Sequence, residues 1–268
     1  MAPGVACACG GEFVPFARPL WFYATINCQD RAGRAKIRVN DIAGAPIYSV
    51  NTSIKEETMQ RFLSYALIFL FLFTGLAQAE SIDALWGEVK QPPAPELKQV
   101  APKPATTALL VLDIEELTCN AERRPRCLET VPRIAALIDK ARAAGMPVVY
   151  SLTPRGTLET ILPPVKPLPG EPIVSSSVDK FWNTDLEKIL KEKGVDTVIV
   201  TGTAAHGAVL HTATAAGFRK LKIILPVDCL SSADLYIEQA SVHLLLTGPG
   251  TRRAITLTRS DMIGFPEK

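Results

Sequence analysis

The stretch that most constrains this chain is Asp196–His211, DTVIVTGTAAHGAVLH. Thr197–Val200 is β-branched and apolar without alternation, the pattern of a strand buried on both faces. Thr201-Gly202-Thr203 breaks the run, and Ala204 onward is small and helix-compatible up to a stop near Gly217. Strand, tight turn and helix in this order place a helix N-terminus at the carboxyl edge of a parallel sheet. Unpaired N–H groups and the positive end of the helix dipole face a ligand at that edge. The same turn also reads as a purely structural βα connection, and its context decides between the two.

That context repeats the pattern. Thr107–Ile114 (TALLVLDI) is a continuous apolar run with Asp113 at its carboxyl end, and Met146–Ser151 is a second strand. Between them Cys127–Ala144 carries apolar residues at helical spacing and stops at Gly145. Residues 154–171 hold five prolines and two glycines, a long loop over one edge. Ile173–Ser176 reads as a short third strand. Thr184 is placed to cap a helix over Asp185–Lys193, which Gly194 closes. After the central strand come a strand at Lys222–Val227 ending in Asp228-Cys229, a helix over Ala233–Leu246 and a sixth strand at Ala254–Thr258. Strands alternating with helices predict an α/β fold of three layers, α/β/α, around a mostly parallel sheet of about six strands.

The region before residue 107 has a different character. Residues 59–79 open with Met59 and Arg61, run almost unbroken apolar from Phe62 to Leu76, and end in Ala77-Gln78-Ala79, a small-x-small cleavage site. This is the pattern of a secretory signal peptide, and it predicts a mature chain beginning at Glu80 in the periplasm or secreted. Such a peptide belongs at an N-terminus. Residues 1–58, which show no sustained period, are therefore expected to be mis-translated upstream sequence without regular structure. Lys55-Glu56-Glu57 can be encoded as a purine-rich tract of the kind that precedes a start codon at Met59. Residues 80–106, rich in proline, read as a linker, and 107–268 as the domain.

A net charge of +2 with 21% charged residues gives no electrostatic case for nucleic acid, and signal cleavage leaves no membrane segment. Three of the six cysteines, Cys119, Cys127 and Cys229, lie beyond Ala79. In an exported chain the first two are placed to bridge around CNAERRPRC, leaving Cys229 free. Asp113, after the five apolar residues Ala108–Leu112, is either a cap or a partly desolvated acid suited to proton transfer.

ALLVLD, FWNTDLEKILKEKGVDTVIVTGT, HGAVLHTATAAGF and KIILPVDCLSS follow one another in an order and spacing that resembles the isochorismatase-like, or cysteine hydrolase, superfamily over roughly Thr107–Phe265. The resemblance implies a three-layer α/β/α fold. Many members hydrolyse amides with an Asp–Lys–Cys triad, while true isochorismatases cleave a vinyl ether without the cysteine. By position, Asp113 matches the family's catalytic aspartate, and Gly202-Thr203-Ala204 its turn with a cis peptide and an oxyanion site. The nucleophile's position is occupied by Ala208. The family lysine's spacing points to Ser175, with Lys180 the nearest lysine, and Glu115 stands where a glutamine is common. Metal-binding histidines have no evident counterpart, so neither metal nor cofactor is expected. Ala205-His206 followed by a small residue resembles the isochorismatase branch, which makes His206 a candidate substrate-binding donor beside Gly202, Thr203 and Ala204. His211 and His243 sit in helical patterns. Cys119 and Cys229 are the remaining thiols that could approach the site edge.

Two functions follow from the resemblance. The first is an exported hydrolase acting on a small molecule without a cysteine nucleophile. Asp113 is its general acid/base, and the backbone N–H groups of Ala204 and Ala208 bind developing negative charge. The second is a catalytically inactive binding protein that keeps the pocket. A small-molecule substrate is the partner, and a homo-oligomer is compatible with either. The distance from the Lys180 ammonium to Asp113 separates the two.

Overall fold

The computed structural model describes residues 80–265 and, upstream, three short strands. These are β1 (Tyr23–Asn27), β2 (Lys36–Asn40) and β3 (Pro46–Val50), which pair antiparallel in that order. Regular backbone here differs from the expectation for residues 1–58; one of the strands, KIRVN, does alternate polar and apolar residues, over a run too short to be a sustained period. The expected signal peptide, residues 59–79, lies outside the described residues.

The chain divides into two compact units, Met1–Lys90 and Gln91–Lys268. The second contains β4 (Thr107–Leu112), α1 (Pro125–Ala143), β5 (Val148–Leu152), β6 (Ile173–Ser175), α2 (Leu186–Glu192), β7 (Thr197–Thr203), α3 (Leu210–Phe218), β8 (Lys222–Pro226), β9 (Leu230–Ser231), α4 (Leu235–Thr247) and β10 (Ile255–Thr258). Six strands pair in parallel in the order β10-β8-β7-β4-β5-β6. The two-residue β9, which no run of residues announces, pairs with the end of β7.

Side-chain alternation along the central strands divides the core in two. Leu110, Leu112, Val198 and Val200 pack with residues of α2, α3 and α4 on one face. Leu109, Val111 and Ile199 pack with Val131, Ile134, Leu137 and Ile138 of α1 on the other. Continuous apolar strands are what two covered faces demand, and the three-layer α/β/α architecture is the result.

Three boundaries differ from the sequence pattern. The proline-rich segment is docked rather than free from Gln91 onward. Lys98 N–H donates to the Leu257 carbonyl at 2.9 Å, Val100 N–H to Met262 at 3.1 Å, and Gly264 N–H back to Val100 at 2.9 Å. Pro92–Leu97 borders a groove of about 340 Å³ against Leu230, Val242 and Leu246. Second, Asp185, not Thr184, takes the cap position of α2. Thr184 still accepts from Leu186 N–H at 3.2 Å while donating to the Lys180 carbonyl. Third, the helix after β7 opens with a wide, π-type turn at Ala205–Val209 before α3 proper begins.

In this strand order the chain leaves β4 toward β5 and β6 on one side and returns to β7 on the other. The carboxyl ends of β4 and β7 therefore flank the switch point of the sheet, where the crevice of an open α/β fold lies.

Candidate active site

Asp113 directly follows β4 and has φ of 52°, which turns its side chain out of the strand's alternation. Its N–H donates to the Ser151 carbonyl at 3.2 Å, and Ser151 Oγ donates to Asp113 Oδ1 at 2.7 Å. Asp113 Oδ2 lies 2.9 Å from Lys180 Nζ. The pair is enclosed: Asp113 is 4% exposed and Lys180 0%. Burial raises the Asp113 pKa above its ordinary value, opposed chiefly by the positive charge of Lys180.

Lys180 reaches this position from the turn before α2. Its backbone N–H donates to Thr212 Oγ1 of α3 at 3.2 Å. Its ammonium also faces the carbonyls of Leu152, Ser176 and Ser177 at 3.2, 2.8 and 2.6 Å. With Asp113 these make four acceptors for three protons, so the lysine ties the Ser176–Lys180 turn to the end of β5. Ser175 is instead at the end of β6, exposed, with its hydroxyl on the Thr153 carbonyl.

Across from Asp113, β4 and β7 approach closely at Leu112 and Gly202. Gly202 has φ of 123°, and a Cβ there would lie 2.1 Å from the Leu112 carbonyl oxygen. Only glycine meets both demands. Thr203 Oγ1 donates to the Ser231 carbonyl at 3.1 Å, and the Thr203–Ala204 peptide is cis. The Ala204 carbonyl then accepts from Gly207 and Val209 N–H at 2.9 and 3.2 Å. Ala208, 3% exposed, lies in the π-type turn before α3 and packs into the core with Ala205 and Val209.

His206 stands exposed in the turn after β7, its Nδ1 2.9 Å from Ser232 Oγ. Ser232 N–H donates to Glu238 Oε1 at 2.9 Å, and Glu238 takes a two-pronged pair from Arg126 at 2.9 and 2.8 Å. This network joins the first turns of α1 and α4 to the end of β9. Ser151, Ser232, Glu238 and Arg126 were not singled out from sequence. Ser151 alone carried a signal, as the last residue of the predicted strand beside Asp113.

The other candidates lie apart. Cys119 is bridged to Cys127, with an S–S distance of 2.02 Å. Cys229 is free and buried, its thiol pushed up to about 12 by burial and by Asp228, so it is not a thiolate near neutral pH. His211 and His243 are exposed on α3 and α4. Glu115 is fully buried and turned toward the 153–160 loop, accepting from Thr153 N–H and Oγ1 at 3.1 and 2.6 Å. Among the described residues no three His, Cys, Asp or Glu side chains cluster to hold a metal ion.

Comparisons with known proteins fall on this unit. The isochorismatase domain profile matches residues 107–255, more than half of the chain. A secreted isochorismatase effector of Verticillium dahliae is 27% identical over 151 residues, 51% of this chain and 80% of its own. Streptothricin hydrolase of Streptomyces noursei is 30% identical, and enterobactin synthase component B of Escherichia coli 28%. Each match takes in 48% of this chain, and this chain spans only about half of those two relatives (55% and 54%). Among solved structures, an isochorismatase family protein of Desulfovibrio vulgaris superposes with a TM-score of 0.54 at 21% identity, covering 58% of this chain and 95% of that one. A cysteine hydrolase of Pseudomonas syringae gives 0.54 at 20% identity, covering 63% and 95%. The latter two show the fold.

Proposed function

Because this chain belongs to the isochorismatase family of hydrolases, we propose that it hydrolyses a small molecule without a cysteine nucleophile, with Asp113 as the general acid/base. The observation that carries this reading is the enclosed Asp113–Lys180 pair at 2.9 Å, set at the switch point of the sheet. Ala208, on this reading, replaces the nucleophile of the cysteine-dependent members, and a methyl group cannot attack a carbonyl. What remains is proton chemistry. A buried carboxyl whose pKa is raised holds its proton at higher pH than an ordinary aspartate. In the acid role Asp113 gives that proton to the substrate carbon of a vinyl ether. Water adds to the resulting cation, its surplus proton returns to the carboxylate, and the hemiketal so formed breaks its ether C–O bond to release an alcohol and leave a carbonyl product. Ser151 and Lys180 orient the carboxylate and steady its anionic form. His206, Thr203 and Ala204 border the substrate.

The second reading, a binding protein that has lost its chemistry, is favoured by one feature. Lys180 is fully engaged by backbone carbonyls as well as by Asp113, as a purely structural lysine would be.

We also place the protein outside the cytosol. The Cys119–Cys127 bridge suits an oxidising compartment, and the signal-like residues 59–79 are in keeping with it.

Incubation with isochorismate and with a panel of amides and ureides, with and without prior thiol alkylation, tests the function. Turnover that survives alkylation is expected. Loss of turnover on modifying Cys229 alone overturns the cysteine-independent mechanism, and absence of turnover across the panel favours the binding protein.

A further inference from the structure

Four arginines of the domain are tied to carboxylates: Arg126 to Glu238, Arg142 to Glu171, Arg219 to Glu187 and Arg259 to Asp261. Arg124 is not. It is half-buried just before α1. Its Nη1 donates to the Thr118 carbonyl at 3.0 Å, and among the described residues its side chain has no other hydrogen-bond partner and no carboxylate. A guanidinium carries five N–H donors in a rigid fork, so most of this one is uncommitted.

The position of Arg124 is fixed from two directions. Thr118 Oγ1 is shared between the carbonyls of Asp113 and Glu115, so the carbonyl that Arg124 grips belongs to a residue hung on the Asp113 turn. Cys119–Cys127 closes the loop around Arg124, and Arg124 N–H donates to the Asn120 carbonyl at 3.0 Å. A cation held in place before its ligand arrives loses little freedom on binding.

Its electrostatic surroundings are unfinished. Burial lowers the Arg124 pKa, the charge of Arg123 lowers it further, and Asp113 is the carboxylate that opposes them. Asp113 is already paired with Lys180 at 2.9 Å. Glu115, the next carboxylate along the chain, is turned to Thr153 and Thr160 instead. A partly desolvated cation without a counter-charge is costly, and a ligand anion is the partner that completes it.

We propose that Arg124 is the anion-binding residue of this site, and that the substrate carries a carboxylate held by the free edge of the Arg124 guanidinium beside Asp113. The inference rests on Asp113 being the reacting group and adds the substrate's chemical class. Arg124 acts in binding, so its loss raises KM more than it lowers kcat.

Calorimetric titration of benzoate and of its neutral isostere benzamide into the full-length wild type, Arg124→Gln and Arg124→Lys tests it. Benzoate binds the wild type and is weakened about 10- to 100-fold by Arg124→Gln, the span expected for a charge-assisted hydrogen-bonded pair. Arg124→Lys keeps part of the affinity, and benzamide binds weakly and indifferently to the substitution. Benzoate that ignores Arg124→Gln, fails to bind the wild type, or binds no better than benzamide overturns the proposal. If Arg124→Gln does not fold, phenylglyoxal labelling of the wild type followed by mass spectrometry decides. Benzoate is expected to protect Arg124, and equal labelling with and without it overturns the assignment. The two readings separate cleanly. Arg124-dependent benzoate binding in a protein without turnover overturns the hydrolase and keeps the anion site. Turnover with KM unchanged in Arg124→Gln does the reverse.

Discussion

Lys180→Met removes one half of the buried pair and leaves the other half in place. Breaking such a pair from one side costs about 3–5 kcal/mol, because the remaining charge is buried without compensation. The Leu152 carbonyl loses one of its two donors but keeps the Ser176 N–H at 3.3 Å, so it adds little to that cost. The carbonyls of Ser176 and Ser177 belong to residues nearer the surface and can turn to water. Asp113 has an escape of its own, since it can take up a proton. Burial already raises its pKa in the wild type. Without the ammonium that opposes burial, the folded-state value climbs further above the unfolded ~3.9. Between those two values the folded state holds a proton that the unfolded state has lost. Stability therefore falls as pH rises, by about 1.4 kcal/mol per pH unit. The wild type follows the same sign over a narrower window. The deficit of Lys180→Met relative to wild type is thus smallest near the unfolded ~3.9 and grows as pH rises toward the variant's raised folded value, reaching the full cost of about 3–5 kcal/mol above it. Urea unfolding followed by circular dichroism across this range measures it. Adding Asp113→Asn to Lys180→Met removes the stranded charge and is expected to recover much of the loss at high pH. A deficit that does not vary with pH, or a double variant no more stable than the single, would refute the assignment of a charged, enclosed pair.

Three further outcomes follow from single features. Gly202→Ala places a Cβ against the Leu112 carbonyl at a positive φ and is expected to cost about 3 kcal/mol or more, read as a lowered thermal midpoint; a neutral effect contradicts the close approach of β4 and β7. Replacing Cys119 and Cys127 by serine opens a bridge of sequence separation 8, and the loop-entropy relation gives a loss of about 2.5 kcal/mol in denaturant unfolding. Cys229, with its thiol pushed up to about 12, is expected to stay unmodified by iodoacetamide in the native protein at neutral pH and to react on unfolding, as mass spectrometry of its peptide would show.

The sheet was legible because its strands are covered on both faces. Within TALLVL and TVIVTGT the stretches ALLVL and VIV run without polar interruption, so their burial is written into consecutive residues. Asp113 was legible for the same reason, as a lone carboxylate at the end of such a run. Partners brought together through space left fainter marks. Lys180 approaches from a turn between β6 and α2, and the spacing that the family resemblance implies points to Ser175 instead; what holds the Lys180 ammonium at Asp113 is a set of backbone carbonyls, which have no sequence signature. Ser232 meets His206, and Glu238 meets Ser232, where β9, two residues long, pairs with the end of β7. Arg124 looked like one of several charges in a polar loop, and its isolation emerges only when the partners of its neighbours are known. The docked segment from Gln91 was hidden for a related cause. Its prolines speak of an extended chain, and an extended chain lies against a surface as readily as it crosses solvent.

Turnover by Asp113→Asn beside the wild type, on whichever member of the isochorismate, amide and ureide panel the wild type hydrolyses, tests the central claim most directly. Asparagine keeps the shape and can still accept from Ser151, but it cannot carry the transferred proton. A fall in kcat of about 10²–10⁴-fold is predicted, the usual cost of losing a general acid or base. In the acid role the wild-type rate also declines as pH rises through the raised Asp113 pKa, because the protonated form is the active one. Wild-type turnover retained in Asp113→Asn would contradict the account.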